Sequence, residues 1–218
     1  MKPPNKPDFD RVARIYRWAE YASLGPLLQR TRTHFLPELK EYQRAMVLGD
    51  GDGRFLARLM TQSTAMQAVA VDTSAAMLEL LRKNCAHAAT GAKVRLTLVQ
   101  ASALQTKPAP ETDLVATHFF LDCLAQVEVD TLTKSYAAML RPGTLWVVSD
   151  FAMPRITWLR PFAAAYIRAL YFAFRLLTGL RVTRLPDVQE AMQQAGFARI
   201  ARKEFIGGLI YTELWRLG

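Results

Sequence analysis

Three glycines at alternate positions, Gly49, Gly51 and Gly53, hold Asp50 and Asp52 between them in the run VLGDGDGRF. Glycines at such a turn let main-chain N–H groups approach a ligand closely. A helix that starts there adds the positive end of its dipole. A phosphate would be the usual guest, but two carboxylates repel it, at roughly 1 kcal/mol per charge pair about 4 Å apart in water and several times that in a drier site. The spacing argues the same way. The dinucleotide pattern G-x-G-x-x-G needs its third glycine where Arg54 stands, and the lysine-bearing phosphate loop is absent. The turn suits a nucleoside that carries positive charge and no phosphate.

S-adenosylmethionine has that chemistry, with a sulfonium and an α-amino group in place of phosphates. Its ribose needs an acceptor, and Asp72 closes the apolar run AVAVD 19 residues after Gly53, where a carboxylate can take hydrogen bonds from both hydroxyls. The competing reading is a solvated turn, with Asp72 capping a helix that begins near Ser74. Turn, strand and acid in series favour the cofactor.

Methyl transfer from a sulfonium is an in-line displacement, so the protein mainly aligns the partners and supplies a base where the nucleophile has a proton to lose. His118, in DLVATHFFLDC, is the candidate base, because imidazole titrates near neutral pH and lies at a strand's carboxyl end. Asp122, four residues on, could orient it or replace it. Against this stands packing of His118 beside Phe119 and Phe120, with Asp122 as a helix cap. Asp150, at the end of WVVSD, is a second-rank candidate.

The elements that must position these groups alternate. AMVL, AVAVD, VRLTLVQ, DLVATHFF and TLWVVSDF read as strands, with helices from the glycine turn to about Met60, from Ser74 to about His87, and through Tyr136 and Leu140. Nearly continuous apolar strands separated by helices imply parallel strands covered on both faces, hence an α/β doubly wound sheet. A helix from Asp187 runs into Ala195-Gly196-Phe197. ARIARKEF and LIYTELW then form a terminal antiparallel hairpin across Ile206-Gly207-Gly208. Residues 9–36 read as amphipathic helix broken near Gly25-Pro26. One domain over 1–218 is expected, with a helical cap at 8–38 and a helical insertion at 154–186.

On these residues the chain resembles class I S-adenosylmethionine-dependent methyltransferases, and among them the ubiquinone/menaquinone-type small-molecule branch, from FDRVARIYRWAEY to the final hairpin. The resemblance implies a mostly parallel seven-stranded Rossmann-like sheet whose last strand is antiparallel. It implies that Gly49, Asp50, Gly51 and Gly53 line the methionine part, Asp72 and Thr73 the ribose, and Ala101, Ser102 and Ala103 the adenine. Tyr16, Met77 and Thr117 complete the cofactor set, and S-adenosylhomocysteine is the product. Where the family usually has an adenine-facing Asp this chain has Ser102, and where it has an acid two residues before the first glycine this chain has Val47.

The net charge is +9, from 20 Arg and 8 Lys against 19 acids, and guanidinium suits interfaces and partly buried positions better than ammonium. Cys85, Cys123 and three histidines make no ligand-spaced cluster, which points to no metal and a reducing, cytoplasmic compartment. No signal-like segment opens the sequence, and Arg168 and Arg175 interrupt its most apolar run, against a simple membrane span. The stretch 151–186 has six Arg and no acid around an aromatic helix. It reads as core or pocket wall, with peripheral membrane contact through 158–184 or a homodimer contact as additions. The acceptor expected is a small apolar or aromatic molecule. An RNA methyltransferase is disfavoured, since no binding module is appended and THFFLDC follows the fourth strand. A nicotinamide reductase is disfavoured by the glycine spacing, and a non-catalytic cofactor-binding protein is the remaining alternative.

Overall fold

A computed structural model describes residues 24–63, 65–88, 95–178 and 182–218. Seven strands form one sheet: β1 (Arg44–Leu48), β2 (Gln67–Asp72), β3 (Arg95–Gln100), β4 (Leu114–His118), β5 (Leu145–Phe151), β6 (Phe197–Phe205) and β7 (Ile210–Leu217). Their order is β3-β2-β1-β4-β5-β7-β6, with β1 to β5 paired in parallel and β7 antiparallel to both β5 and β6. Strand order reverses between β1 and β4, which opens a crevice at the carboxyl ends of those strands. The fold is the doubly wound sheet with a terminal hairpin that the alternating pattern predicts.

The apolar residues of each strand divide between two faces. Ala45, Val47, Leu114, Ala116 and Val147 meet α2 (Arg54–Gln62) and α3 (Ala75–Ala88) through Phe55, Leu56, Leu59 and Leu81. Met46, Leu48, Val115, Trp146 and Val148 meet α4 (Gln126–Ala137) and α6 (Val188–Gln194) through Leu132, Tyr136, Ala191 and Met192. A third apolar cluster lies beyond the strand ends, where α1 (Gly25–Arg32) and α5 (Arg160–Thr178) bring Leu28, Ala163, Ile167 and Tyr171 against Phe151, Leu209 and Ile210. α1 starts at the Gly25-Pro26 break, with Pro26 in its first turn. The part of the expected helix before residue 24, Tyr16 included, lies outside the described residues.

Two elements depart from the sequence reading. The fourth strand stops at His118 rather than running through Phe120, because Phe119 takes a left-handed backbone (φ +54) while its N–H still donates to Ser149 O at 2.7 Å. α4 begins at Gln126 with Ala125 as its cap residue, so Asp122 caps nothing and sits in the short 3-10 turn Leu121–Cys123. Part of the arginine excess is consumed in the hairpin. Buried Glu213 of β7 accepts from Arg199 (2.7 Å), Arg202 (2.5 Å) and Trp215 Nε1 (2.9 Å). A bulge between Arg199 and Ala201 helps both cations reach it.

Candidate active site

The glycine turn begins where β1 ends. Gly49 N–H donates to Val71 O at 2.9 Å, the last rung between β1 and β2, and Gly49, Gly51 and Gly53 then take φ of +64°, +61° and +78°. A Cβ on Gly49 would lie 2.3 Å from Phe120 Cδ2, and one on Gly53 would lie 2.5 Å from Leu81 Cγ and 2.8 Å from Leu81 Cα. Gly49 therefore admits an aromatic ring from the β4 turn, and Gly53 admits the backbone of α3, besides supplying the left-handed conformation.

The two loop acids do different work. Asp52 accepts from Arg54 Nε at 2.8 Å, and its main-chain oxygen accepts from Asn84 Nδ2 at 2.7 Å, so it ties the turn to α2 and α3. Asp50 is buried, and its Oδ2 accepts from Leu56 N–H at 3.0 Å in the first turn of α2. Its Oδ1 has no hydrogen-bond partner among the described residues. Burial pushes the Asp50 carboxyl up to about 7, against the Leu56 hydrogen bond and the positive charge of Arg32. Such a carboxylate is stabilised by any cation that arrives beside it. Val47, at the position of the family's usual acid, is enclosed in β1.

Asp72 ends β2 one residue past Val71, which pairs with Leu48, so it stands level with Gly49. Its Oδ1 accepts from Ser74 N–H at 2.9 Å, and Ser74 Oγ in turn accepts from Met77 N–H at 3.1 Å. Ser74, not Asp72, thus caps α3, and the half-buried carboxylate stays at the crevice rim. Asp72 O accepts from Ala101 N–H at 3.0 Å, which brings the exit of β3 alongside. Ala101 and Ser102 are half-buried, Ala103 and Met77 are buried and Thr73 is exposed. Ser102 O closes a turn by accepting from Gln105 N–H and the Thr106 hydroxyl. The ends of β1, β2 and β3 therefore bring together the glycine turn, Asp72 and the 101–103 segment.

Thr117 does not join them. Its hydroxyl accepts from Trp146 Nε1 at 3.0 Å on the sheet face under α4, because the period-two alternation of β4 turns it away from the α2 side. His118, the last residue of β4, faces the α2 side and is enclosed there. Its Nδ1 lies 2.8 Å from Ser149 Oγ, its register partner on β5, and Ser149 Oγ donates to Thr212 Oγ1 of β7 at 2.9 Å. Where Ser149 donates onward to Thr212, it can accept from Nδ1–H of the ring. Nε2 has no hydrogen-bond partner among the described residues, and the ring packs 4.1 Å from that of Phe55. Burial, then the charge of Arg32, holds the imidazole well below its usual range, so it is neutral. His118 is thus enclosed, as are Asp122 and Asp150.

Asp122 and Asp150 form a buried acid pair at the ends of β4 and β5. Asp150 Oδ2 accepts from Asp122 N–H at 3.0 Å, and its Oδ1 accepts from Phe151 N–H at 2.9 Å. Burial and then the neighbouring carboxylate hold Asp150 well above the usual range, and burial raises Asp122 to about 6. Ionisation of one carboxyl therefore opposes ionisation of the other. Tyr171 of α5 donates to Asp122 O at 3.0 Å, and Cys123 Sγ lies 3.6 Å from Asp122 Oδ1. Phe119 packs 5.2 Å from Phe151, and the Arg32 guanidinium lies 5.0 Å over the Phe119 ring. Aromatic rings and a buried acid pair thus stand together beyond the ends of β4 and β5.

Sequence reasoning passed over Arg32 and Phe120, and placed Asp150 second. Arg32 lay in an amphipathic pattern with nothing to mark it as buried. The signal available for Phe120 was Gly49 itself, a residue whose missing side chain must be filled by something.

Among the described residues no group of His, Cys, Asp and Glu could hold a metal ion. No curated protein sequence matches the chain. Residues 45–143 match the family model described as Methyltransferase domain. Solved structures share the fold at low identity. A putative O-methyltransferase from Nostoc punctiforme PCC 73102 is 17% identical over 94% of this chain and 60% of its own, with a TM-score of 0.71. An O-methyltransferase family protein from Burkholderia thailandensis is 14% identical over 98% of this chain and 65% of its own, with a TM-score of 0.72. Magnesium protoporphyrin IX methyltransferase from Synechocystis PCC 6803, with bound S-adenosylhomocysteine, is 13% identical over 96% of this chain and 94% of its own, with a TM-score of 0.69. The chain spans less than two thirds of the first two of these. Residues 45–143 thus match a methyltransferase family model, and the described chain shares the Rossmann-like fold of these structures.

Proposed function

We propose that this chain transfers a methyl group from S-adenosylmethionine to an oxygen or nitrogen of a small apolar or aromatic acceptor. The observation that carries the reading is the level placement of Asp72 beside three left-handed glycines at the point where strand order reverses. The buried Asp50 oxygen without a hydrogen-bond partner fits the same cofactor, since it favours a cation and disfavours a phosphate. The narrower kinship with ubiquinone/menaquinone-type enzymes rests on sequence alone.

When bound, the cofactor supplies a methyl group already activated by its sulfonium. The glycine turn holds the methionine part, with Asp50 as a nearby negative charge. Asp72 accepts from the ribose hydroxyls, with Thr73 beside it, and the 101–103 segment with Met77 flanks the adenine. Phe119, Phe151 and the inner face of α5 orient the acceptor and exclude water. The proton that leaves the nucleophile goes to the Asp122–Asp150 pair, which lies among the acceptor-side residues, while His118 holds β4, β5 and β7 in register through Ser149 and Thr212. Tyr16 and Thr117 are left with no assigned contact.

Thermal unfolding with S-adenosylmethionine, S-adenosylhomocysteine and NADPH tests the cofactor. A native state at about 100 times Kd gains about 2.7 kcal/mol, so both adenosyl compounds should raise Tm and NADPH should not. A chain stabilised by neither adenosyl compound has another function.

A further inference from the structure

Helix α5 has two apolar faces, and the sheet uses only one. Ala163, Ile167 and Tyr171 are buried against Phe151, Leu209 and Ile210. On the other side Trp158, Phe162, Phe172 and Leu176 are 68%, 70%, 64% and 71% exposed, and Ala165 and Ala169, between them, are exposed as well. From Phe162 onward these positions recur every three or four residues, so they form one continuous stripe, with Trp158 extending it from the preceding turn. The stripe continues onto the β6–β7 turn, where Ile206 is exposed and a Cβ on Gly207 would lie 2.7 Å from Leu159 and 3.5 Å from Ile156.

The chemistry beside the stripe selects its partner. Arg168 and Arg175 are exposed and lie about a quarter-turn round the helix from it. Residues 151–186 contain six Arg and no acid. A second copy of this chain docked stripe to stripe would bring arginines against arginines, with no carboxylate from the segment between them. An anionic lipid surface supplies the missing negative charge, and it accepts Trp and Phe at the level of its head groups. Among the described residues no helix is long and apolar enough to cross a bilayer, so the contact is with the surface and not through it.

We propose that the outer face of α5, with Trp158 and the 206–208 turn, docks on an anionic membrane surface. The Phe and Trp side chains enter the head-group boundary, and Arg168 and Arg175 pair with lipid phosphates. The inner face of the same helix reaches the acid pair through Tyr171, so docking sets the acceptor crevice beside the lipid. That last step rests on the methyl-transfer reading, whereas the docking itself does not.

Co-sedimentation of the full chain with vesicles of phosphatidylcholine, with and without about one third phosphatidylglycerol, tests it. Binding is expected to the anionic vesicles, to weaken as salt rises, and to fall more than about tenfold in the Phe162→Ser/Phe172→Ser variant. Arg168→Gln/Arg175→Gln should lose about fivefold per charge on anionic vesicles and little on neutral ones. Both variants change exposed side chains, and an unaltered Tm shift with S-adenosylhomocysteine confirms that they fold. Failure to bind anionic vesicles overturns the proposal. So does a dimer in sedimentation equilibrium that the Phe162→Ser/Phe172→Ser change abolishes, because the occupant is then a second copy. Loss of the S-adenosylhomocysteine shift in the unaltered chain, with vesicle binding kept, overturns the methyl-transfer reading alone.

Discussion

The ends of β1, β2 and β3 and the ends of β4 and β5 open onto one crevice but are built on different principles. On the first side the work is done by backbone: left-handed glycines, a capping serine, and one carboxylate level with the turn. On the second side it is done by side chains that meet across strands, in the row His118, Ser149, Thr212 and in the pair Asp122, Asp150. A backbone device tolerates almost no change of residue type. A cross-strand pair depends on which partner register supplies.

The contrast is sharpest in turnover. If the acid pair accepts the proton, Asp122→Asn should lower kcat by about 10²–10⁴ while S-adenosylhomocysteine affinity is kept, and the ascending limb of the pH–rate profile should vanish. His118→Asn, which can keep a donor to Ser149, should leave that limb in place. The opposite result would return the base to His118.

Next in size is Gly53→Ala. The left-handed position costs about 1–2 kcal/mol and the crowding against Leu81 about 1–3 kcal/mol, so urea unfolding should show a loss of about 2–5 kcal/mol. A loss under 1 kcal/mol would mean that α3 moves away freely. Asp72→Ala removes acceptors worth about 1.5–3 kcal/mol each, and calorimetric titration should show S-adenosylhomocysteine bound at least about tenfold more weakly.

Asp50→Asn should act in two directions. The carboxyl is raised from 3.8 to about 7 in the folded chain, so its contribution to stability is full below about 4 and is lost as pH rises through about 7. The amide removes that loss, and Tm of the ligand-free variant at pH 8 should exceed that of the parent. The same change deletes the negative charge proposed to face the cofactor, so the Tm gain from S-adenosylmethionine should shrink. A variant with an unchanged Tm at pH 8 would place Asp50 in a wetter site. The smallest effect belongs to Ser102→Ala, since one neutral hydrogen bond is worth about 0.5–1.5 kcal/mol, and affinity should fall no more than about tenfold.

The glycine turn, Asp72 and the alternating elements were legible because each is a local pattern. An apolar run of five, a glycine at a fixed offset and an acid at a strand's end keep their meaning whatever lies around them. Thr117 and His118 were read as neighbours in one site, yet the pleat sends their side chains to opposite faces of β4. Asp150 looked like an ordinary strand-end acid until β5 set it against Asp122. The helical pattern of 160–178 was plain, but not which of its two apolar faces the sheet would take.

By itself the sequence determined the α/β class, the position of the glycine turn and the carboxylate beside it, because those follow from backbone conformations that glycine allows and from short-range periodicity. Only the tertiary structure decided that His118 is enclosed, that Asp122 and Asp150 are buried side by side, and that a row of aromatic side chains on α5 faces outward. Burial and the distance between groups remote in sequence set ionisation and exposure, and neither is encoded at any single position.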